Sequence, residues 1–503
     1  MESFFFSSMR LLLYLFALLL LPNITLADFS FNDNCIKAYN SIISLRLNEG
    51  QTFLNAERKI NPSNNITILL ENYIDFFKVL TTETNASFEY FKNKKSANIL
   101  KIEKDVQKNS PWYLYAIAEI NLQSCINRFK YQEYVTGVYE LQKAYKLLEE
   151  NRKKFPDFLP NQKSFALLYS LVGLVPEEYK WALSTIGLKG NIQEGIEMLE
   201  RLKNKLPSSN YSYFTAETIF FLSVIQLTVE NTPNIYETVV RNTASIPNTN
   251  LLKIYICANV ALRFGHADDA IDLLVNRPKS AAYCSFHHLD YLLACAKQYR
   301  FDNDAVNYFE TYLKNYEGNF NVKDSYLKIA YYYLLKGNID KYNAYAGLCK
   351  VRGQAISDRD KSAVMHASET HAPELPLLKA KFYYDGGYYK KALDVLTDKK
   401  LDNIPLTKDK VEYLFRMGTI QQALNNTDQA IIFYTATIAK GTDLKYQYAV
   451  SSSFRLGNIY ETRKQKAKAA EYYAMCLKMK NEEYKNSFES KAKAGLRRVT
   501  RTN

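Results

Sequence analysis

Glycine and proline are scarce in this chain, at 17 and 13 of 503 residues. A many-stranded β fold rich in tight turns needs more of both, so long helices fit the composition better. Tryptophan is nearly absent, with 2 residues, and there are only 5 histidines to serve as ligands or bases. The 7 cysteines contain no Cys-x-x-Cys pair, which removes the spacing of a structural zinc site or a thioredoxin-type centre. No phosphate-cradling GxxxxGK(S/T), no dinucleotide GxGxxG and no nucleophile-elbow GxSxG is found. Acidic charge is in deficit, with a formal net charge of +13. From Lys440 to Asn503 there are 15 Lys and Arg against 6 Asp and Glu, so most of the excess lies at the C-terminal end.

What is present starts with a leader. Arg10 precedes an apolar run, Leu11 to Leu21, too short for a bilayer span of roughly 20 residues but suited to a signal-peptide core. Thr25-Leu26-Ala27 supplies small side chains where a signal peptidase reads, and cleavage is expected before Asp28. The nearest cysteine is Cys35, so a lipoprotein anchor is not expected. No later segment is apolar enough to cross a membrane, and the mature chain is read as exported and soluble, periplasmic or secreted. Cys257, Cys295 and Cys476 sit in apolar helical runs as small hydrophobes. Seven cysteines cannot all pair internally. Cys35 and Cys125, in "NCIKAYN" and "SCINRFK", are the first pair to test for a disulfide, against the reading that all seven are reduced. Asn65, Asn85 and Asn210 stand in glycosylation sequons.

A repeating unit dominates the second half. "LLKIYICANVALRFGHADDAIDLLVNRP", Leu251 to Pro278, reads as two amphipathic helices around a turn at Gly265. Close helix approach needs a small residue at two points, here Ala258 and, twelve residues on, Ala270. The same spacing joins Ala380 to Ala392 around Gly387, Gly418 to Ala430, and Gly457 to Ala469. Weaker copies pair Leu293 with Ala305, and Ala330 with Tyr342 around Gly337. Successive second-helix anchors are 35, 37, 50, 38 and 39 residues apart, so one linker carries an insertion. Upstream, "PWYLYAIAEINLQSCINRFKYQEYVTGVYELQKAYKLLEENRKKFPD" reads as another helix pair stopped by Phe155-Pro156. The chain therefore divides into a signal peptide (1–27), an irregular helical-repeat region (28–249), a repeat array (250–485) and a basic end (486–503). That basic end is read as a solvated helix face and frayed tail, with contact to an anionic surface as the alternative; no nucleic-acid partner is expected.

Residues 250 to 480 resemble the tetratricopeptide repeat family, whose unit is a helix pair of about 34 residues. "YLFRMG…DQAIIFY" and "FRLGNIY…AKAAEYY" carry the resemblance best. It implies an all-α fold, an α-α superhelix whose inner face is built from first helices. Residues 164 to 202, "SFALLYSLVGLVPEEYKWALSTIGLKGNIQEGIEMLERL", with a break at Pro176, also resemble the eukaryotic inclusion-body-clearance proteins of the same repeat class. In the tetratricopeptide family, groove positions lie at fixed offsets from the first-helix anchor. Carried over, they imply a partner-binding strip of Tyr255, Asn259, Arg263, Leu327, Tyr331, Lys381, Tyr384 and Phe415. Tyr255 stands where the family's carboxylate clamp has Lys.

The chemistry of an enzyme is not apparent. "HASETH" sets His366 and His371 five apart, off one helical face, and "HHLD" places His288 beside Asp290 without a nucleophile motif. No catalytic residue, metal or cofactor is assigned. The expected function is an exported, non-enzymatic scaffold that binds a protein or peptide on its concave face. A glycan- or nutrient-binding envelope protein on a similar scaffold is the alternative, and a hydrolase using His288 or His366 comes third.

Overall fold

Helix starts are written into the sequence by short polar side chains. Asn32, Thr84, Ser110, Asn191, Asn250, Asn338 and Ser357 each precede a helix and accept a hydrogen bond from a backbone N–H of its first turn. Pro111 stands first and Pro160 second in their helices, first-turn positions whose N–H has no partner within the helix. The computed structural model describes residues 29–104, 108–175, 181, 183–228, 234–399 and 401–500. The expected signal segment, Pro176 and Arg501 lie outside the described residues, which contain no strand.

The helices pair in chain order from the start. In the first half α1 (Asp33–Ile43) pairs with α2 (Leu47–Ile60), α3 (Ile66–Thr82) with α4 (Asn85–Glu103), and α5 (Pro111–Lys130) with α6 (Tyr134–Lys154). Next come α7 (Leu159–Leu174) with α8 (Ile192–Lys205), and α9 (Thr215–Thr228) with α10 (Ile235–Thr243). The second half continues with α11 (Leu251–Arg263) and α12 (Ala267–Val275), α13 (His288–Arg300) and α14 (Ala305–Asn315), then α15 (Val322–Leu335) and α16 (Ile339–Val351). A single helix, α17 (Asp358–Ala367), occupies the insertion. Then follow α18 (Leu375–Asp385) and α19 (Tyr389–Thr397), α20 (Thr407–Ala423) and α21 (Thr427–Gly441), and α22 (Tyr448–Thr462) and α23 (Lys466–Cys476). The last helix, α24 (Lys485–Thr500), covers the final pair. This is an all-α superhelix of tetratricopeptide-like hairpins.

The anchor register holds throughout. Ala258, Ala330 and Ala380 on first helices, and Ala270, Ala392, Ala430 and Ala469 on second helices, have no exposed surface. Where the first-helix anchor is Gly, a large ring takes the vacated space. A Cβ on Gly418 would lie 2.7 Å from the Tyr434 ring, and one on Gly457 would lie 2.5 Å from the Tyr473 ring. With Ala258 or Ala380 as the anchor, a Leu sixteen residues on (Leu274, Leu396) shares its core cluster instead, while Ala330 faces Ala346. Volume is thus traded between facing helices, as close packing requires.

Two long-range closures shape the molecule. In the first half α1 returns onto the start of α9: Tyr39 packs edge-on to Phe214 at 4.8 Å, and Phe31 stacks on Tyr213 at 4.7 Å. One continuous core then runs from Phe29 to Ile329, joined by the backbone bond from Cys284 N–H to the Leu45 carbonyl at 2.9 Å. In the second half the turn at Gly265 meets the turn at Gly387, two hairpins that are not sequence neighbours. The Ala267 N–H donates to the Gly386 carbonyl at 3.3 Å, and Tyr388 donates to Asp268 at 3.0 Å, 120 residues away. Beyond α15 the core breaks into small clusters, each bridging neighbouring hairpins.

Three expectations are corrected or decided here. All seven cysteines are free thiols, so Cys35 and Cys125 form no disulfide; Cys35 meets Asn64 at 3.6 Å instead. The basic end is ordered helix through Thr500: Phe488, Ala492, Gly495 and Val499 are buried against the last hairpin, and Arg498 bonds both oxygens of Glu461. Of the three sequons, Asn65 is buried at the start of α3, while Asn85 and Asn210 are exposed. No helix among the described residues is long and apolar enough to cross a membrane.

Candidate functional site

First helices point one stripe of side chains toward the superhelix axis, and the two halves treat that axis differently. In the first half the axis is filled. Lys163 on α7 has no exposed surface and bonds Glu217 on α9, with Tyr73 on α3 at 3.1 Å and Glu119 on α5 at 3.7 Å. Tyr39 on α1 donates to Glu217, Tyr73 donates to Glu119 at 2.7 Å, and Ser164 donates to the other Glu119 oxygen. Five successive first helices are thus joined by one buried polar network. Burial lifts Glu217 above the ordinary carboxylate range, opposed by the Lys163 charge.

In the second half the axis is open. A cavity of about 880 Å³ is walled by α11, α13, α15, α17, α18, α20 and α22, with Glu483 and Tyr484 at one side. Of the strip expected from the sequence, Tyr255, Asn259, Arg263, Leu327, Tyr331, Lys381 and Tyr384 all line this one cavity. Leu327 does so as a wall residue, only 5% exposed. Phe415 does not line it. Its ring is buried against Tyr448 at 5.5 Å, between α20 and α22, because α20 turns that flank toward its neighbour rather than the axis.

The family offsets omit one row that faces inward. Two residues before five of the six first-helix anchors stand Ile256, Lys328, Leu378, Arg416 and Arg455, which line the cavity; Tyr291, two before Leu293, does not. A stripe at helical spacing explains it, since this position lies four residues after one groove position and three before another. Charges within the stripe pair along their own helices: Asp324 with Lys328 at 3.7 Å, Lys381 with Asp385 at 2.7 Å, and Glu412 with Arg416 at 2.9 Å. Burial alone would raise Asp385 and Glu412, but their cationic partners hold both below the ordinary range. Burial pushes the Tyr255 hydroxyl up to about 12 and Tyr331 well above its ordinary value, so both are hydrogen-bond donors at neutral pH. Arg359, His366 and Lys408 complete the wall and carry no repeat signature; the only sequence sign of Arg359 is the long interval that holds α17.

The histidines of the two clusters go to separate partners. His366 lies 3.2 Å from Glu483, while Glu369 receives the Tyr446 hydroxyl and His371 bonds Thr370 at 2.8 Å. His288 sits among Tyr255, Phe286 and Tyr291, where burial lowers it to about 4 and keeps it neutral. Among the described residues no three His, Cys, Asp or Glu side chains are placed to hold a metal ion. Trp112 is buried and Trp181 lies exposed outside the cavity.

No family model and no curated protein matches the chain. Among solved structures it is similar to a chain in the crystal structure of the APC/C hetero-tetramer Cut9-Hcn1, covering 93% of this chain and 96% of that one. Identity is 10% and the TM-score 0.23, a likeness too low to carry an argument. The architecture rests on the hairpins themselves: the protein is an α-α superhelix of the tetratricopeptide-like kind, a fold that typically serves as a binding scaffold.

Proposed function

We propose that this protein is a non-enzymatic scaffold, exported through a cleaved leader, that binds a polypeptide along the inner face of its second half. The supporting observation is a single open cavity lined by Tyr255, Asn259, Arg263, Tyr331, Lys381 and Tyr384 from successive first helices. Tyr rings give contact area at low entropy cost, and Asn and Arg fix an extended backbone. The glycan-binding alternative would stack sugars on these same tyrosines, with neither Trp lining the cavity.

The test is crosslinking and affinity purification of the tagged chain from its native source. Replacing Tyr255 and Arg263 together by Ala should remove the captured polypeptide while helicity and melting stay unchanged. Capture that survives this change, but is lost when Lys491, Lys493 and Arg497 become Ser, places the contact on the basic end instead. Export is checked by N-terminal sequencing of the secreted or periplasmic chain, expected to begin at Asp28.

A further inference from the structure

Charges on the cavity wall do not balance. Its carboxylates are all engaged: Asp324 accepts from Tyr291 at 2.6 Å and pairs with Lys328, Asp385 pairs with Lys381, and Glu412 pairs with Arg416. Glu483 faces His366 at 3.2 Å and accepts from Ser362 at 2.7 Å and from the Gln447 N–H at 3.0 Å. Among the described residues, three guanidiniums on this wall have no carboxylate within ion-pair distance. Arg359 has one hydrogen bond, to the Tyr291 hydroxyl at 3.2 Å, and is exposed into the cavity. Arg455 bonds the Gln422 side chain at 3.2 Å and the hydroxyls of Tyr384 and Tyr434. Arg263 bonds the Leu227 carbonyl.

The sequence explains two of these surpluses. Glu412 stands four residues before Arg416, but Ser451 holds that place before Arg455. Lys381 stands four residues before Asp385, but Asn259 holds that place before Arg263. The third cation arrives on α17, which belongs to no hairpin. A guanidinium fork matches a carboxylate and makes charge-assisted bonds stronger than neutral ones. A concave wall of one sign also focuses its field on the space inside.

We propose that the segment received by this cavity is acidic, an extended peptide whose Asp or Glu side chains are gripped by Arg359, Arg455 and Arg263. This deepens the polypeptide-binding reading and rests on it. The three guanidiniums belong to α11, α17 and α22 and are anchored to different partners. Anionic groups distributed along a chain suit them better than a single compact anion. Apolar and aromatic wall between them, at Leu327, Leu378 and Tyr331, gives the intervening side chains a surface.

The experiment measures binding of a fluorescein-labelled decapeptide of Glu, Tyr and Leu to the full mature chain by fluorescence anisotropy. A counterpart with Gln for every Glu is the control. The Glu peptide should bind about tenfold or more tightly than the Gln peptide, and added salt should shrink the difference. Arg359→Gln should weaken the Glu peptide about tenfold, with unchanged melting and little effect on the Gln peptide; Arg359→Lys should recover part of it. Equal affinity for both peptides overturns the acidic assignment and leaves the polypeptide reading standing. Binding of neither, while the native partner is still captured through Tyr255 and Arg263, does the same; loss of that capture too removes both readings. Citrate or inorganic phosphate binding as tightly as the Glu peptide and displacing it replaces the peptide with a small anion.

Discussion

The two halves of this molecule build the same hairpin and use its inner face in opposite ways. In the first half, five first helices converge until Lys163, Glu119, Glu217 and their hydroxyl partners occupy the axis with no exposed surface left on Lys163. In the second half the turns at Gly265 and Gly387 touch, yet the first helices stand apart around about 880 Å³. The difference lies in where the charged groups find partners. In the first half Lys163 joins carboxylates from two other first helices and the axis closes; in the second half the pairs form along single helices and the axis stays open.

Breaking the filled axis should have the largest effect. Lys163→Met leaves two buried carboxylates without their cation and should cost about 3–5 kcal/mol, the range for removing one partner of a buried pair. Hydrogen exchange should show protection lost across α1 to α9 together, with α20 to α24 little changed. Loss confined to α7 would mean that the first half is a chain of separable hairpins after all.

The contact between turns is tested by two glycines of like backbone. Gly387 has φ +86, and a Cβ there would lie 1.7 Å from the Gly265 carbonyl oxygen. Gly337 has φ +75 with nothing within 4 Å. Gly337→Ala should cost about 1 kcal/mol, for the left-handed backbone alone. Gly387→Ala should cost about 3 kcal/mol, adding overpacking to the same strain, and should raise exchange at both turns. Equal costs in chemical denaturation would show that the two turns part readily.

A smaller change of opposite sign is expected at Asp409. Burial, reinforced by Glu412, Glu374 and Glu369 and opposed by Lys408, lifts this carboxyl to about 6. A folded value above the unfolded one means that its contribution is intact below about pH 4 and is lost as pH rises through 6. Asp409→Asn should therefore match the wild type at pH 4 and exceed it by about 2 kcal/mol at pH 7. A gain that is the same at both pH values would assign it to packing rather than charge. Removing a charge would then destabilise the filled half and stabilise the open one.

Much of the second half was legible in advance because its constraint is local. A close helix crossing favours Gly or Ala at one point, so Ala258, Ala380, Gly418 and Gly457 mark their hairpins in any order of neighbours. The cavity strip followed from those anchors. Phe415 lies outside the cavity, because α20 turns that flank onto Tyr448. Arg359 was invisible for a different reason: α17 follows no repeat, and only folding brings it opposite α11. The first-half network was equally hidden, since Lys163, Glu119 and Glu217 look like ordinary surface charges until helices 45 and 54 residues away close on them.

The meeting of Gly265 and Gly387 has a mechanical consequence. A stack of hairpins touching only its neighbours behaves as a spring, spreading any stretch over many soft joints. Here two coils are pinned by the bond from Ala267 to Gly386 and by Tyr388 on Asp268, so extension cannot be shared across α12 to α18 until that pin is drawn. The bore of the second half is held at fixed calibre, and tension on the ends of the chain is carried around it.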